Sequence, residues 1–315
     1  MGAAYVSEYA AISAIGLLFG VPVVISVVLV LVFHTVIILM GGSYKRVENV
    51  LLAISAFILV YLVAFAVIPI KTQEVYGALL SIFLPSSYSN SLYLTLLAAN
   101  IGAVIMPWML YYQQSAIVDK GLRREHYTHE RFETIMGAII SETLMIGSLL
   151  VGYWLRVRGG GGVVDGFQSA LLSISRVISP YWFIVAAIGM VAAALLAIFV
   201  ISLGFAYGLS EYFGWATGLS KKMCEARGGF YLFYVVEIVP AALIILFMKD
   251  LVNLILDIMV FNAVALAVPT YLLINIVSRR EVVGDYVISK ARAIALYVVT
   301  TLLIVSGIYV AITSI

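Results

Sequence analysis

Carboxylates within apolar segments have the clearest chemical potential in this sequence. Glu8, Glu142, Glu237 and Asp257 each interrupt a long run of apolar residues. A charged side chain at the centre of a bilayer costs at least about 2.5–3.5 kcal/mol, so each carboxylate needs a reason to be there. One reason is pairing with backbone, Tyr or Ser groups that fixes helix packing. The other is a polar pathway, and four such residues together favour a pathway.

A second chemically suggestive pattern lies within residues 100–115. Pro107 has no N–H, and its ring clashes with the carbonyl of Ala103, so the helix is expected to break there. Non-helical backbone at membrane depth is tolerated only where it lines protein or a cavity, and freed carbonyls can then bind a ligand. An ordinary proline kink is the alternative. The following turns favour a site because they carry three polar side chains, Gln113, Gln114 and Ser115.

The elements that must position these residues are membrane-spanning helices. Of 315 residues, 64% are apolar and 11% are charged, with a mean hydropathy of +1.13. A soluble domain has about 25% charged residues, so this surface must face lipid. We predict an all-α polytopic helix bundle forming a single transmembrane domain over residues 1–315. About nine spans are expected, near 3–19, 21–40, 47–68, 91–118, 132–155, 181–213, 229–248, 250–277 and 291–313.

Between the fifth and sixth spans the pattern changes. A Gly-rich tether follows Gly159, and Phe167, Leu171, Ile174 and Ile178 then recur at helical spacing. This amphipathic stretch is predicted to lie on the membrane surface.

The distribution of Lys and Arg predicts the orientation. Alternate loops on one side carry thirteen of these residues, and the loops on the other side carry five. The positive-inside rule places the richer side in the cytoplasm. We therefore expect an integral protein of the cytoplasmic membrane with its N-terminus inside and its C-terminus outside.

Other chemistries find little support. The lone Cys224 excludes a disulfide within the chain, and the basic residues form no patch for nucleic acid. His126 and His129 do not form a His-Glu-x-x-His motif, and no Gly-x-Ser-x-Gly or Walker-type loop is present. His34 is interpreted as a packing residue. We therefore expect no enzyme activity and no cofactor.

The segment around the proline resembles the sixth helix of Nramp-type divalent-metal transporters, which carry Ala-x-x-Met-Pro-His there. This chain has Ala103, Met106 and Pro107 at the same spacing, with Trp108 in place of the His. Three further segments match the family in order: Glu8 and Tyr9 with Phe19 and Gly20, residues 209–215, and Asn262 with Pro269 followed by Arg279, Arg280 and Gly284.

The resemblance implies a LeuT-like inverted-repeat fold, of which this chain covers the equivalents of helices three to eleven. It implies that the Met106 sulfur, the Ala103 carbonyl and the Asn262 amide bind the metal, which is a substrate. It also assigns Glu8 to proton movement, and we expect Glu142 and Glu237 to contribute to the same proton pathway.

Several departures from the family pattern matter. The first-helix Asp-Pro-Gly-Asn motif is absent, and the chain begins where the third helix should. A truncated gene, a split protein with a separate polypeptide supplying the first helices, and an inactive remnant are the three expectations. The second His of the sixth helix is Gln113, the third-helix Asp is Tyr5, and the ninth-helix Arg falls near Tyr234. The usual Asp–Arg proton wire is therefore expected to be lacking.

Three interpretations follow. The leading one is a carrier of divalent cations such as Mn²⁺ or Fe²⁺ that works by alternating access. Met106 favours it, because a thioether is a soft ligand, whereas Mg²⁺ and Ca²⁺ prefer oxygen ligands. The second is an uncoupled carrier of Mg²⁺ or another hard cation, favoured by the lost His and Arg residues. The third is a non-transporting subunit or remnant.

The orientation can be tested by single-cysteine labelling in a variant that lacks Cys224. Cysteine introduced at Arg124, Lys222 or Arg280 should react only from the cytoplasm, and cysteine at Gly160 only from outside. Labelling of position 160 from the cytoplasm would contradict both the orientation and the number of spans.

Overall fold

The computed structural model describes residues 1–39, 44–59, 72–83, 91–104, 106–158, 167–178, 180–221, 223–226 and 229–313. All regular structure in these ranges is helical. The α-helices are α1 Gly2–Leu18, α2 Val23–Leu39, α3 Tyr44–Ala56, α4 Thr72–Phe83, α5 Ser91–Val104, α6 Pro107–Asp119, α7 Tyr127–Arg158, α8 Phe167–Val177, α9 Pro180–Tyr212, α10 Met223–Ala226, α11 Phe230–Val236, α12 Ile238–Phe247, α13 Leu251–Ala265, α14 Ala267–Val277, α15 Arg280–Val283 and α16 Lys290–Thr313.

The predicted polytopic bundle is confirmed. Six helical stretches of the described chain are long and apolar enough to cross a membrane: Tyr93–Asp119, Arg124–Arg156, Pro180–Tyr212, Phe230–Phe247, Leu251–Val277 and Lys290–Tyr309. Two shorter apolar helices, Gly2–Leu18 and Val23–Ile37, match the first two predicted spans. Of the predicted span 47–68, the structure describes only the part up to residue 59. Gly160 and Lys222, two of the labelling positions, also lie outside the described residues.

Prolines divide three of these stretches. A proline cannot donate to the carbonyl four residues before it. That carbonyl belongs to Val236 for Pro240 and to Ala265 for Pro269, and α11 and α13 end at those two residues. The spans predicted over 229–248 and 250–277 are thus found as the helical stretches Phe230–Phe247 and Leu251–Val277, each of which is interrupted at one residue.

The three interruptions differ in their effect on the chain direction. Glu237, which links α11 to α12, keeps right-handed helical angles of φ −63° and ψ −25°. Leu266, which links α13 to α14, does the same, with φ −62° and ψ −22°. Met106, which precedes Pro107, is extended, with φ −94° and ψ 145°. Only the α5–α6 break thus changes the backbone conformation, as predicted.

Helix α1 lies at the centre of the bundle, where α2, α9, α12 and α13 surround it. Its buried side chains include Tyr5, Tyr9 and Ile15. Helix α1 has no polar face, which fits its position inside the bundle. Helix α7 is the opposite case, because only 6% of its most apolar segment is buried against the rest of the protein. The apolar surface of α7 is therefore available to lipid.

The amphipathic stretch predicted at the membrane surface forms α8. Leu171 and Ile174 are buried among Trp154 and Leu155 of α7 and Ala187 of α9. The apolar face of α8 thus contacts protein, which gives it a packing role that the sequence pattern alone did not show.

Helices α5 and α13 approach each other most closely at Gly102. A Cβ atom at this position would overlap the Met259 carbonyl and lie 2.8 Å from the Ala263 nitrogen. Helix α16 packs on the same segment of α13, where a Cβ at Gly307 would lie 3.1 Å from the Ala263 Cβ. Small residues at such contacts allow the backbones of membrane helices to pack closely.

Gly102→Ala should therefore destabilise the bundle. The added methyl group meets backbone atoms that cannot move unless α5 and α13 separate, and overpacking of this kind costs about 1–3 kcal/mol or more. The measurement is the apparent melting temperature of the purified protein, followed by size-exclusion chromatography after heating. Gly137→Ala is the matched control, because nothing lies within 4 Å of a Cβ at Gly137. Equal melting temperatures for the two variants would contradict the proposed contact.

Candidate functional site

The break between α5 and α6 is the centre of the candidate site. Met106 is 6% exposed and Trp108 is 5% exposed, so both side chains face into the protein. Pro107 begins α6, and the Met106 carbonyl accepts a 3.1 Å hydrogen bond from the Met109 nitrogen. Ala103 lies in the last turn of α5, where the residue four positions further on is Pro107. The Ala103 carbonyl thus lacks the intrahelical donor that other residues of a helix have.

Asn262 lies on α13, the helix that packs on α5. It is 5% exposed and occupies α13 immediately before Ala263, which contacts Gly102 of α5. Ala103, whose side chain is exposed, follows Gly102 directly, and Asn262 precedes Ala263 on the facing helix. Met106 belongs to the same buried cluster as Met259, one turn before Asn262.

The Asn262 amide has unused hydrogen-bonding capacity. Its Nδ2 atom is buried and has no hydrogen-bond partner among the described residues. The oxygen and nitrogen of an amide can exchange places by rotation about the terminal bond. Asn262 can therefore present its carbonyl oxygen in this position, which suits a cation.

The Met106 sulfur already has one partner. The indole Nε1–H of Trp108 donates to it at an N···S distance of 3.1 Å. Trp108 itself lies against Gly204 of α9, where a Cβ would be 3.7 Å from Cε3 of the indole. The sequence pattern identified Trp108 only as a replacement for a His and gave no sign of this contact.

The four intramembrane carboxylates do not form one group. Glu237 is 6% exposed at the α11–α12 junction, and neither of its carboxylate oxygens has a hydrogen-bond partner in the described ranges. Glu8 is half-buried on α1, which packs against α12. Glu142 and Asp257 are exposed on α7 and α13. The fold thus brings the elements of Glu8 and Glu237 into contact and places Glu142 on a different, outward-facing helix.

A neutral aromatic cluster occupies the region around Tyr5 and Tyr234. His34 is fully buried, and its ring is stacked on Tyr234 at a centroid distance of 4.2 Å. Tyr5 contacts the imidazole edge-on at a centroid distance of 6.2 Å, and the His34 Nε2 atom lies 3.0 Å from the Ser202 hydroxyl. These contacts fit the interpretation of His34 as a packing residue.

A cavity of about 530 Å³ lies beside α6, between α3, α7 and α9. Met109 and Gln113 of α6 line it, and three carboxylates, Glu48, Glu130 and Glu133, lie at its polar end. Lys120 pairs with Glu48 at 3.1 Å. Burial opposes the charged form of Lys120, but the Glu48 carboxylate outweighs this effect, and the pKa of Lys120 is raised.

The C-terminal end of α6 is fixed to the loop after α9. Asp119 accepts hydrogen bonds from the Tyr207 hydroxyl and, at 2.7 Å, from the Leu219 nitrogen. Gly218 has a φ of +117°, and a Cβ there would lie 2.7 Å from a carboxylate oxygen of Asp119. This end of α6 is therefore a closely fitted structural contact.

Across the described ranges, no group of three or more His, Cys, Asp or Glu residues could hold a metal ion.

The helix break thus carries a carbonyl without its helical partner and a buried thioether, and the helix that packs on α5 carries a buried amide. Such a set can bind a dehydrated cation, but it holds no acid–base pair for catalysis.

No curated protein sequence matches the chain. A family model, described as natural resistance-associated macrophage protein-like, matches residues 3–313. The chain thus belongs to the Nramp family, whose members transport divalent metal cations and are not enzymes.

Proposed function

We propose that this protein moves divalent transition-metal ions such as Mn²⁺ or Fe²⁺ across the cytoplasmic membrane by alternating access, on a LeuT-like inverted-repeat fold. The observation that carries the proposal is the extended backbone at Met106, buried beside the crossing of α5 and α13. Irregular backbone at membrane depth is characteristic of substrate sites in transporters of this kind. The orientation with the N-terminus inside belongs to the same proposal.

Each candidate ligand contributes a different donor. Ala103 offers a backbone carbonyl, Asn262 offers an amide oxygen, and Met106 offers a thioether sulfur. Oxygen donors alone suit Mg²⁺ and Ca²⁺, while a sulfur adds preference for later and softer metals. The three together favour a transition metal that accepts both kinds of donor.

The cavity beside α6 supports a route between this site and one side of the membrane. It begins at Met109, within one turn of Met106, and ends among Glu48, Glu130 and Glu133. Carboxylates lining a low-dielectric cleft raise the local concentration of cations. On the predicted orientation, this end faces the cytoplasm.

Glu8 and Glu237 are the proposed groups for proton exchange. Both lie on contacting elements within the bundle, and Glu237 has two buried oxygens without hydrogen-bond partners in the described chain. Glu142 remains a prediction as a pathway residue, and its exposed position on α7 provides no contact with the other two.

An uncoupled carrier of Mg²⁺ or another hard cation is the second candidate. Tyr5 and Tyr234 favour it, because they lie where the family resemblance would place a charged Asp–Arg pair, and both rings pack against His34. Glu8 then has a packing role instead of a role in proton movement.

Replacing Met106 tests the metal preference. In Met106→Ala, carbonyl, amide and water oxygens remain, and this donor set is one that hard ions tolerate. We expect Mn²⁺ uptake to be partly retained while Ca²⁺ or Mg²⁺ competes about tenfold better, which corresponds to about 1.4 kcal/mol. The measurement is ⁵⁴Mn²⁺ uptake into cells that express the protein, with increasing concentrations of the competing ion.

Met190→Ala is the matched control, because Met190 is a partly buried methionine in a different cluster. It should leave the competition unchanged. If Met106→Ala excludes Ca²⁺ and Mg²⁺ as well as the parent protein does, Met106 only fills space and the preference for transition metals loses its main support.

Replacing Glu8 distinguishes the coupled carrier from the uncoupled one. If Glu8 exchanges a proton during transport, wild-type uptake depends on pH, and Glu8→Gln should weaken that dependence because an amide does not titrate. The measurement is the rate of Mn²⁺ uptake at a series of external pH values. Asp257→Asn, at an exposed carboxylate of α13, should leave the profile unchanged. A profile that Glu8→Gln does not alter supports the packing role and the uncoupled carrier.

A further inference from the structure

The hydrogen bond between Trp108 and Met106 changes the properties of the candidate metal ligand. The indole N–H and the thioether sulfur are 3.1 Å apart, and the two residues are 5% and 6% exposed. A thioether is a weak acceptor, whereas the indole N–H is a donor only and usually finds a partner when it is buried. The sulfur is therefore the partner that satisfies the indole of Trp108.

The backbone at the helix break makes this contact feasible. Residues two positions apart in a continuous α-helix do not face each other. Met106, however, is extended and lies outside α6, while Trp108 belongs to its first turn. The indole also rests against Gly204 of α9, where a larger residue would press on the ring. Trp108 thus contacts α9 as well as the Met106 sulfur.

The bond affects how well the sulfur can bind a metal. A thioether sulfur has two lone pairs, and the indole N–H occupies one of them. A metal ion must use the other lone pair of a sulfur whose electron density is already drawn toward the indole. If the metal displaces the indole instead, a buried N–H loses its hydrogen bond in apolar surroundings, which is unfavourable. Either way, the gain from a soft metal is reduced.

We propose that Trp108 determines specificity by weakening the Met106 sulfur as a ligand, so that the site discriminates less strongly in favour of soft, thiophilic ions such as Cd²⁺. This inference rests on the proposed role of Met106 in metal binding. Trp108 does not touch the metal itself; it acts through the sulfur. A weakened sulfur makes the donor set behave more like an all-oxygen site. The expected ion preference is therefore intermediate between that of a transition-metal carrier and that of a hard-cation carrier.

Trp108→Phe provides the direct test, because phenylalanine keeps an aromatic ring but has no N–H. The measurement is the binding of Cd²⁺ and of Mn²⁺ to the purified full chain in lipid nanodiscs by isothermal titration calorimetry. We expect the ratio of the Mn²⁺ and Cd²⁺ dissociation constants to shift about tenfold in favour of Cd²⁺. A ratio within twofold of the wild-type ratio would overturn the inference.

Trp154→Phe is the matched control. Trp154 is also buried, at 7% exposure, but its Nε1 atom has no hydrogen-bond partner among the described residues, and it lies in the separate cluster around α8. This variant loses an indole without changing the sulfur, so its ratio should equal that of the wild type. An equal shift in both Phe variants would attribute the effect to lost packing and overturn the inference.

Met106→Leu separates this inference from the proposed function. If the variant binds Cd²⁺ as tightly as the wild type, Met106 is not a ligand and the proposed metal site fails. If it binds Cd²⁺ more weakly while Trp108→Phe leaves the ratio unchanged, the metal site stands and only the role of Trp108 fails. In the Met106→Leu, Trp108→Phe double variant, the effect of the Phe substitution should disappear, as expected for two coupled groups.

A spectroscopic measurement keeps the inference testable if Trp108→Phe does not fold. Ultraviolet resonance Raman spectra report the hydrogen bonding of indole N–H groups, and the protein has only four tryptophans. The difference between the wild-type and Met106→Leu spectra should show one indole that loses its hydrogen bond. In the wild type, saturation with Cd²⁺ should perturb the same band more than saturation with Mg²⁺. Identical spectra for the two proteins would overturn the inference.

Discussion

The close approach of α5 and α13 at Gly102 is the constraint on which the site depends. A side chain of any size there would meet the backbone of Met259 and Ala263. Because the two backbones touch, α5, which carries Ala103, and α13, which carries Asn262, have little freedom to separate at this point. The same segment of α13 receives α16 at Gly307. In a membrane, where burial from water does not drive helices together, such close contacts provide much of the packing energy.

The sequence predicted the features that follow from local chemistry. Pro107 removes a specific hydrogen bond, and the break at Met106 lies where the proline requires it. Pro240 and Pro269 carry the same signal, yet the two spans that contain them were predicted as continuous. Their linking residues, Glu237 and Leu266, keep helical angles, so these prolines interrupt the hydrogen bonding without redirecting the chain. A proline alone does not reveal which of the two results occurs.

Tertiary features were less accessible to sequence reasoning. Helices that are apolar on all sides show no stripe that separates lipid-facing from protein-facing positions. The pattern therefore could not distinguish the buried Glu237 from the exposed Glu142 and Asp257. The contact between Trp108 and Met106 was missed for another reason. It joins residues that a helical spacing keeps apart, and only the extended conformation of Met106 allows it. The family resemblance could identify Met106 as the proposed ligand, but it could not identify the hydrogen bond that Trp108 makes to it.

The break lies between two packed groups of helices, and this position bears on the role proposed for Met106. Helix α5 packs on α13 and α16, whereas α6 packs mainly on α9. At its C-terminal end, α6 is joined to Tyr207 and the following loop through Asp119, and at its N-terminal end Trp108 lies against Gly204. Met106 therefore connects a group that carries Ala103 and Asn262 with a group that carries Trp108. Any relative movement of the two groups must change the backbone angles near Met106. It would also change the distance from the sulfur to the carbonyl and amide oxygens, so metal binding and conformational change would be coupled at this joint.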